Sequence, residues 1–177
     1  MNHFLSFLLF LVITTGQTTG AFSQKVEIEK RISQEAFPKQ ALQLVETDYP
    51  EAKKLKFYRE RSADSTTFEA KFCFEKHRYS VEFNPDGDLL DIEKKIKFKT
   101  LPEPTQEAFE AKWSEDFKRF RVSKCQEQTS SKGIRYEIEV KGKSSQGTDF
   151  YEYLFESDGT FIQRQKIILR PSDMSLY

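Results

Sequence analysis

Few residues in this chain carry side chains suited to catalysis, and their spacing narrows the options. The histidines are His3 and His77, and His77 sits between Lys76 and Arg78 in a short polar run that reads as a turn tip. A general base serving a Ser or Cys nucleophile has to be held by packing and by a third group. A turn tip offers neither. One such histidine with two separated cysteines, Cys73 and Cys125, also falls short of the ligand set of a zinc site. The sequence contains no Gly-rich phosphate loop, Gly-x-Ser-x-Gly elbow or His-Glu-x-x-His pair. Carboxylates are plentiful. Glu137 and Glu139 alternate onto one face of one strand, about 7 Å apart, a separation a glycosidase could use. A raised pKa there would need burial, whereas charged neighbours place both on a face expected to be wet. The chain reads as non-enzymatic, with no metal and no cofactor.

The elements that would position these residues are written twice. Tyr79-x-Val81-x-Phe83-x-x-Asp86-Gly87-x-Leu89-Leu90 is matched by Tyr151-x-Tyr153-x-Phe155-x-x-Asp158-Gly159-x-Phe161-Ile162, each position offset by 72 residues. A repeat of this kind governs how the whole fold is read. Phe37-Pro38 followed by Ala41, Leu44, Val45 and Tyr49 has helical spacing with Pro at the start. Leu101-Pro102 with Ala108, Phe109 and Trp113 follows the same spacing. After each helix come alternating runs that predict four strands per unit. In the first unit they centre on Phe57, Phe72, Val81 and Ile92, and in the second on Val122, Ile138, Tyr153 and Ile162. Asn84-Pro85-Asp86-Gly87 and Glu156-Ser157-Asp158-Gly159 lack the spaced oxygens of a calcium loop and predict tight hairpin turns. A longer flexible link is expected over Gly142–Gly147. The predicted fold class is α+β: a tandem repeat of two α-β4 units, antiparallel sheets joined edge to edge, with the helices packed on one face. The proposed boundaries are 1–23 for a signal peptide, 24–99 for the first unit and 100–177 for the second.

The signal reading rests on the apolar run Phe4–Ile13, too short to span a bilayer, followed by small residues and an Ala21-Phe22-Ser23 cleavage site. The remaining chain carries 28 basic and 28 acidic residues, finely interspersed. That balance leaves no electrostatic footprint for nucleic acid or an acidic membrane. Phe, Tyr and Trp make up 14% of the sequence, and their alternating positions assign them to a packed core, not to stacking on bases or sugars. Tyr58, out of phase with Phe57, and Leu154, apolar on a charged face, are the exceptions and candidate partner anchors. Both cysteines alternate with polar neighbours, which places each on the polar face of its strand. A bridge needs their Cα atoms within about 7 Å, and sequential pairing does not make their strands neighbours, so the disulfide stays open.

The aromatic or aliphatic residue plus Pro opening each helix, Asp48-Tyr49-Pro50-Glu51-Ala52 closing the first, and the Tyr-x-Val-x-Phe-x-x-Asp-Gly hairpin together resemble the PepSY-like proteins. These share the fold of the beta-lactamase inhibitory protein and are common as exported proteins of Bacteroidetes. The resemblance runs from about Ile32 to Ile168. The second copy departs where Trp113-Ser114-Glu115-Asp116 replaces the Tyr-Pro pair. The family implies an exported, non-catalytic protein, and its namesake grips a partner enzyme with a curved sheet. The expectation is therefore a periplasmic or secreted protein-binding module, inhibitor-like, whose outer sheet face meets an envelope or secreted protein through Tyr58, Lys71, Arg135, Glu137 and Leu154. The alternative is a periplasmic small-ligand or lipid carrier with a site between helix and sheet or between the units.

Overall fold

The computed structural model describes residues 24–25, 28–62, 65–144 and 147–167. Its elements are β1 (Gln24–Lys25), β2 (Ile28–Ile32), α1 (Lys39–Asp48), β3 (Lys53–Arg61), β4 (Thr66–Phe74), β5 (His77–Phe83) and β6 (Leu89–Lys95), then α2 (Glu103–Asp116), β7 (Arg119–Ser130), β8 (Gly133–Ser144), β9 (Gly147–Glu156) and β10 (Phe161–Ile167). One sheet contains every strand, in the order β1-β10-β9-β8-β7-β6-β5-β4-β3-β2. The nine from β2 to β10 pair antiparallel, and the two-residue β1 lies parallel to β10. The signal segment expected at 1–23, the loop centre at 145–146 and Ile168 lie outside the described residues.

This overturns the expected α+β tandem of two α-β4 units. The described residues are mostly β, a single continuous sheet with two α-helices. Continuity comes from β6 and β7, which pair from Asp91 opposite Ser130 through Lys95 opposite Gln126, so backbone hydrogen bonds run unbroken through the middle of the sheet. The strand count also differs, because β2 adds to β3 from Ile28 opposite Arg61 to Ile32 opposite Phe57. The charged segment Ile28-Glu29-Lys30-Arg31-Ile32 has no apolar alternation, being an edge strand, and edges are often charged. The link expected over Gly142–Gly147 is mostly strand. β8 runs to Ser144 and β9 starts at Gly147, with Gly142 opposite Asp149 and Lys143 opposite Thr148.

Both helices cover the same face of the sheet. Pro38 precedes α1 with φ −58° and accepts the Leu42 amide at 2.9 Å. Ala41 and Val45, one turn apart, are buried against Phe37, Phe57, Phe72, Val81 and Phe83. Tyr49 closes the helix and Pro50, which cannot continue it, follows. Pro102 opens α2, whose Thr105 and Phe109 are buried. Phe109 meets Tyr153 edge-on at 5.5 Å and Phe155 at 6.2 Å, the geometry that ring quadrupoles favour. Its full burial contributes roughly 2–3 kcal/mol.

Glycine is required for contact as well as turning in the two Asp-Gly hairpins. Gly87 has φ +92°, and a Cβ there would lie 2.9 Å from Gln40 Cβ and 3.0 Å from the Ala41 nitrogen. At Gly159, φ +91°, it would lie 2.6 Å from the Pro104 carbonyl oxygen. Each turn thus seats on the first turn of a helix, and only a residue without a side chain lets the backbones meet.

Bulges decide which residues face where. The β7–β8 register shifts between Val122, opposite Val140, and Lys124, opposite Glu139. Ser123 is the extra residue, and a one-residue slip sends everything after it to the other face. Cys125 is therefore buried at 3% exposure in the core with Ile138 and Phe109, not on the polar face its neighbours suggested. Cys73 pairs with Arg78 on the uncovered face, and both cysteines are free. On opposite sides of the sheet and three strands apart, about 14 Å, they are beyond bridging distance.

Candidate functional site

The uncovered face of the sheet carries the chain's concentrated charge chemistry. Alternation sets its members: from β4, Glu69, Lys71 and Cys73; from β5, Arg78, Ser80 and Glu82; from β6, Asp91, Glu93 and Lys95; from β8, Arg135, Glu137 and Glu139. This face is not uniformly wet. Glu69 is 8% exposed, Glu137 5% and Glu139 7%. Neighbouring polar side chains enclose these carboxylates, which alternation alone assigns to solvent.

The five candidates fall into two groups on this face. In the first, the Lys71 ammonium lies 2.6 Å from Glu29 Oε2, 2.8 Å from Glu69 Oε2 and 4.8 Å from the Tyr58 ring centroid. Glu69 also accepts from the Ser80 hydroxyl. Burial works against the Lys71 charge, but the Glu69 and Glu29 carboxylates outweigh it and hold its pKa above the usual lysine range. In the second group, Arg135 forms a fork with Glu156, Nη2 to Oε1 at 2.7 Å and Nε to Oε2 at 3.3 Å, and Leu154 lies directly across from Glu137. Tyr58 and Leu154 are half-buried. Lys71 on β4 and Glu137 on β8 are four strand spacings apart, about 19 Å, so the face joins these groups without forming one pocket from them.

Between them lies a knot the sequence did not single out. Lys124 Nζ lies 3.3 Å from Glu137 Oε1 and 3.2 Å from Glu139 Oε1. Gln126 donates to Glu137 at 3.0 Å. Glu93, across the β6–β7 junction, has its carboxyl pushed up to about 8, by burial first and then by the Glu137 charge, with Lys124 opposing. Burial disfavours the Lys124 charge, yet Glu137, Glu93 and Glu139 hold it well above the ordinary range. The signal available in sequence was Lys124-Cys125-Gln126, polar residues flanking a cysteine, but the bulge at Ser123 hides its phase. Glu137, Glu139 and Glu152 also bring carboxylate oxygens within 4.8 Å of one another. With Lys124 already among them, charge compensation comes from the protein itself.

Glu137 and Glu139, weighed above as an acid pair, are thus tied to a single lysine. His77 is exposed at the start of β5, with Nδ1 2.9 Å from the Glu75 carbonyl oxygen of its own turn. Neither arrangement resembles a base aimed at a nucleophile.

Spanning β3 to β7, the face is hollowed into an open groove of about 650 Å³. Lys54, Lys56, Lys71, Arg78, Lys95 and Lys124 reach it, against Glu69 and Glu93. Its walls are charged and polar, with Tyr58, Phe72 and Tyr79 contributing aromatic surface. Among the described residues, no helix is long and apolar enough to cross a membrane.

No protein-family model matches the chain, and no curated protein matches its sequence. Solved structures do match its shape. A provisionally periplasmic protein from Bacteroides eggerthii DSM 20697 superposes with a TM-score of 0.62 at 18% identity, over 78% of this chain and 94% of that one. A DUF2874 family protein from Bacteroides uniformis ATCC 8492 gives 0.59 at 18% identity, over 73% and 88%. A BLIP-like protein from Bacteroides fragilis NCTC 9343 gives 0.54 at 16% identity, over 73% and 86%. The chain is similar in fold to these Bacteroides proteins, one of them BLIP-like.

Proposed function

We propose that this protein is an exported, PepSY-like, non-enzymatic binding module, inhibitor-like in manner, that holds a partner protein of the envelope or of the secreted fraction on its uncovered sheet face. The observation carrying this reading is the asymmetry of the sheet. One face is sealed by α1 and α2 over aromatic cores, while the other holds a charged groove of about 650 Å³ with nothing packed on it among the described residues. The ordered ion pairs of Lys71 and Arg135 give that face a defined shape in advance, which lowers the entropy cost of association. Tyr58, Lys71, Arg135 and Leu154 are contact residues, and Glu137 holds Lys124 in the face between the two groups. Residues 1–23 act as a cleaved signal peptide, and the periplasm is the site of action, a reading supported by the provisionally periplasmic likeness.

The test is capture from an envelope extract of the source organism. Wild-type bait is compared with a variant carrying Lys56→Glu, Arg78→Glu and Lys95→Glu, all exposed on the groove, together with Arg135→Glu at the second group of contacts, and with a helix-side control, Lys39→Glu. A partner retained by wild type and control but lost by the groove variant supports the proposal. Equal retention by all three sinks it.

A further inference from the structure

The uncovered face around the groove is polarised along the strands. At the end nearest the β4–β5 hairpin, Lys54, Lys56, Arg78 and Lys95 are exposed and make no ion pair with any described residue. Two positions there run against the fold's own interests. Lys54 has φ +60°, a conformation that strains a side-chain-bearing residue by about 1–2 kcal/mol, and it lies in a register shift between Lys53 and Lys56. Bulges re-aim side chains in this way. Lys56 then sits directly opposite Lys71, and like charges facing each other across strands destabilise a sheet. Towards the opposite end, Glu69 lies across from Glu82, and Glu82 from Asp91. The result is a basic band beside an acidic one, two to four residues along each strand.

We infer that the basic band takes an acidic, extended segment of a partner protein, laid across β3 to β6 with its carboxylates on Lys54, Lys56, Arg78 and Lys95. The inference deepens the proposed function and rests on it. Three strand spacings are about 14 Å, the reach of four or five extended residues. Charge complementarity selects the occupant. A nucleic acid or an anionic membrane presents unbroken negative charge, which would overlie Glu69, Glu82 and Asp91 as well and be repelled there. A peptide can place carboxylates on the basic band and turn amide hydrogens or basic side chains towards the acidic one.

The test uses isotope-labelled protein titrated with a blocked hexaglutamate peptide, amide shifts being followed by NMR. Parallel titrations use hexalysine and a short DNA duplex. Saturable shifts centred on Lys54, Lys56, Arg78 and Lys95, with affinity falling on the order of tenfold in a Lys56→Glu, Arg78→Glu variant and unchanged in Lys39→Glu, are the expected result. No saturable shift with hexaglutamate, equal binding of the duplex or of hexalysine at this band, or an unaffected groove variant would overturn the inference. Failure here leaves the proposed function intact if a partner is still captured through the sheet face, and equal capture by all baits refutes that function whatever the peptide does.

Discussion

Glu93 is where pH should reach this fold, and replacing it with Gln measures how much. Its folded pKa of about 8 lies above the ordinary value of 4.5. Between those two pH values the native protein keeps a proton that the unfolded chain has released, so the stability it contributes is complete below pH 4.5 and is lost as pH rises through 8. A shift of that size corresponds at most to roughly 5 kcal/mol. Glu93 is only half-buried and solvent screens part of the effect, so we expect about 2–3 kcal/mol to be realised. Gln keeps the shape of the protonated acid. Glu93→Gln should match wild type near pH 4, exceed it progressively as pH rises from 4.5 to 8, and hold that advantage at pH 9. The assay is urea unfolding at a series of pH values, read by the fluorescence of Trp113, which packs 3.9 Å from Phe120. Titrations shared by both proteins cancel in the difference. Parallel stability curves, or a variant weaker at pH 9, would refute the enclosed-carboxyl reasoning.

Three further outcomes follow from the geometry. Gly159→Ala should cost about 2–4 kcal/mol, from positive φ plus displacement of the Pro104 carbonyl, whereas Gly133→Ala, with φ +105° and open space around it, should cost only about 1 kcal/mol; equal losses in thermal unfolding would show that the turn does not seat on α2. In native, unreduced protein, Cys73 should react with a thiol reagent and Cys125 only on unfolding, since burial pushes the Cys125 thiol up to about 12; a disulfide, or equal rates, would contradict the placement of the two on opposite faces. Deleting Ser123 should cost on the order of 3–5 kcal/mol, because Phe120 and Val122, packed on the core, would be turned to the open face; urea unfolding with wild-type stability would mean that β7 has no bulge there.

What was legible in the sequence follows from what local rules can see. Pro38 and Pro102 marked the helix starts, and Ala41, Val45 and Phe109 were correctly placed on buried faces, because helical spacing and Pro chemistry are local. The Asp-Gly turns were legible as turns, but the contact each glycine makes with a distant helix was not. The sheets were expected to join edge to edge, but which strands meet was not legible, since pairing of β6 with β7 leaves no mark in either segment. The edge strand β2 escaped because a charged edge has no alternation. Cys125 was misplaced by one residue, Ser123, whose bulge inverts the phase of everything after it. The wet face was the larger error. Glu69, Glu137 and Glu139 alternate like solvent-facing residues, and only their cross-strand partners, Lys71, Lys124 and Gln126, enclose them. Lys124 and Glu93 escaped notice because their chemistry arises across a strand junction. Lys54 looked like one more surface lysine, and its bulge and positive φ give it a direction.

The most direct measurement of the binding face is amide hydrogen exchange on the complex with whatever partner is captured. Protection gained on the uncovered face from β3 to β9, strongest around Lys56, Arg78 and Lys95 and leaving the exposed side of α1 and α2 unchanged, is the expected footprint. Protection confined to the helices, with exchange in those strands unaltered, would contradict it.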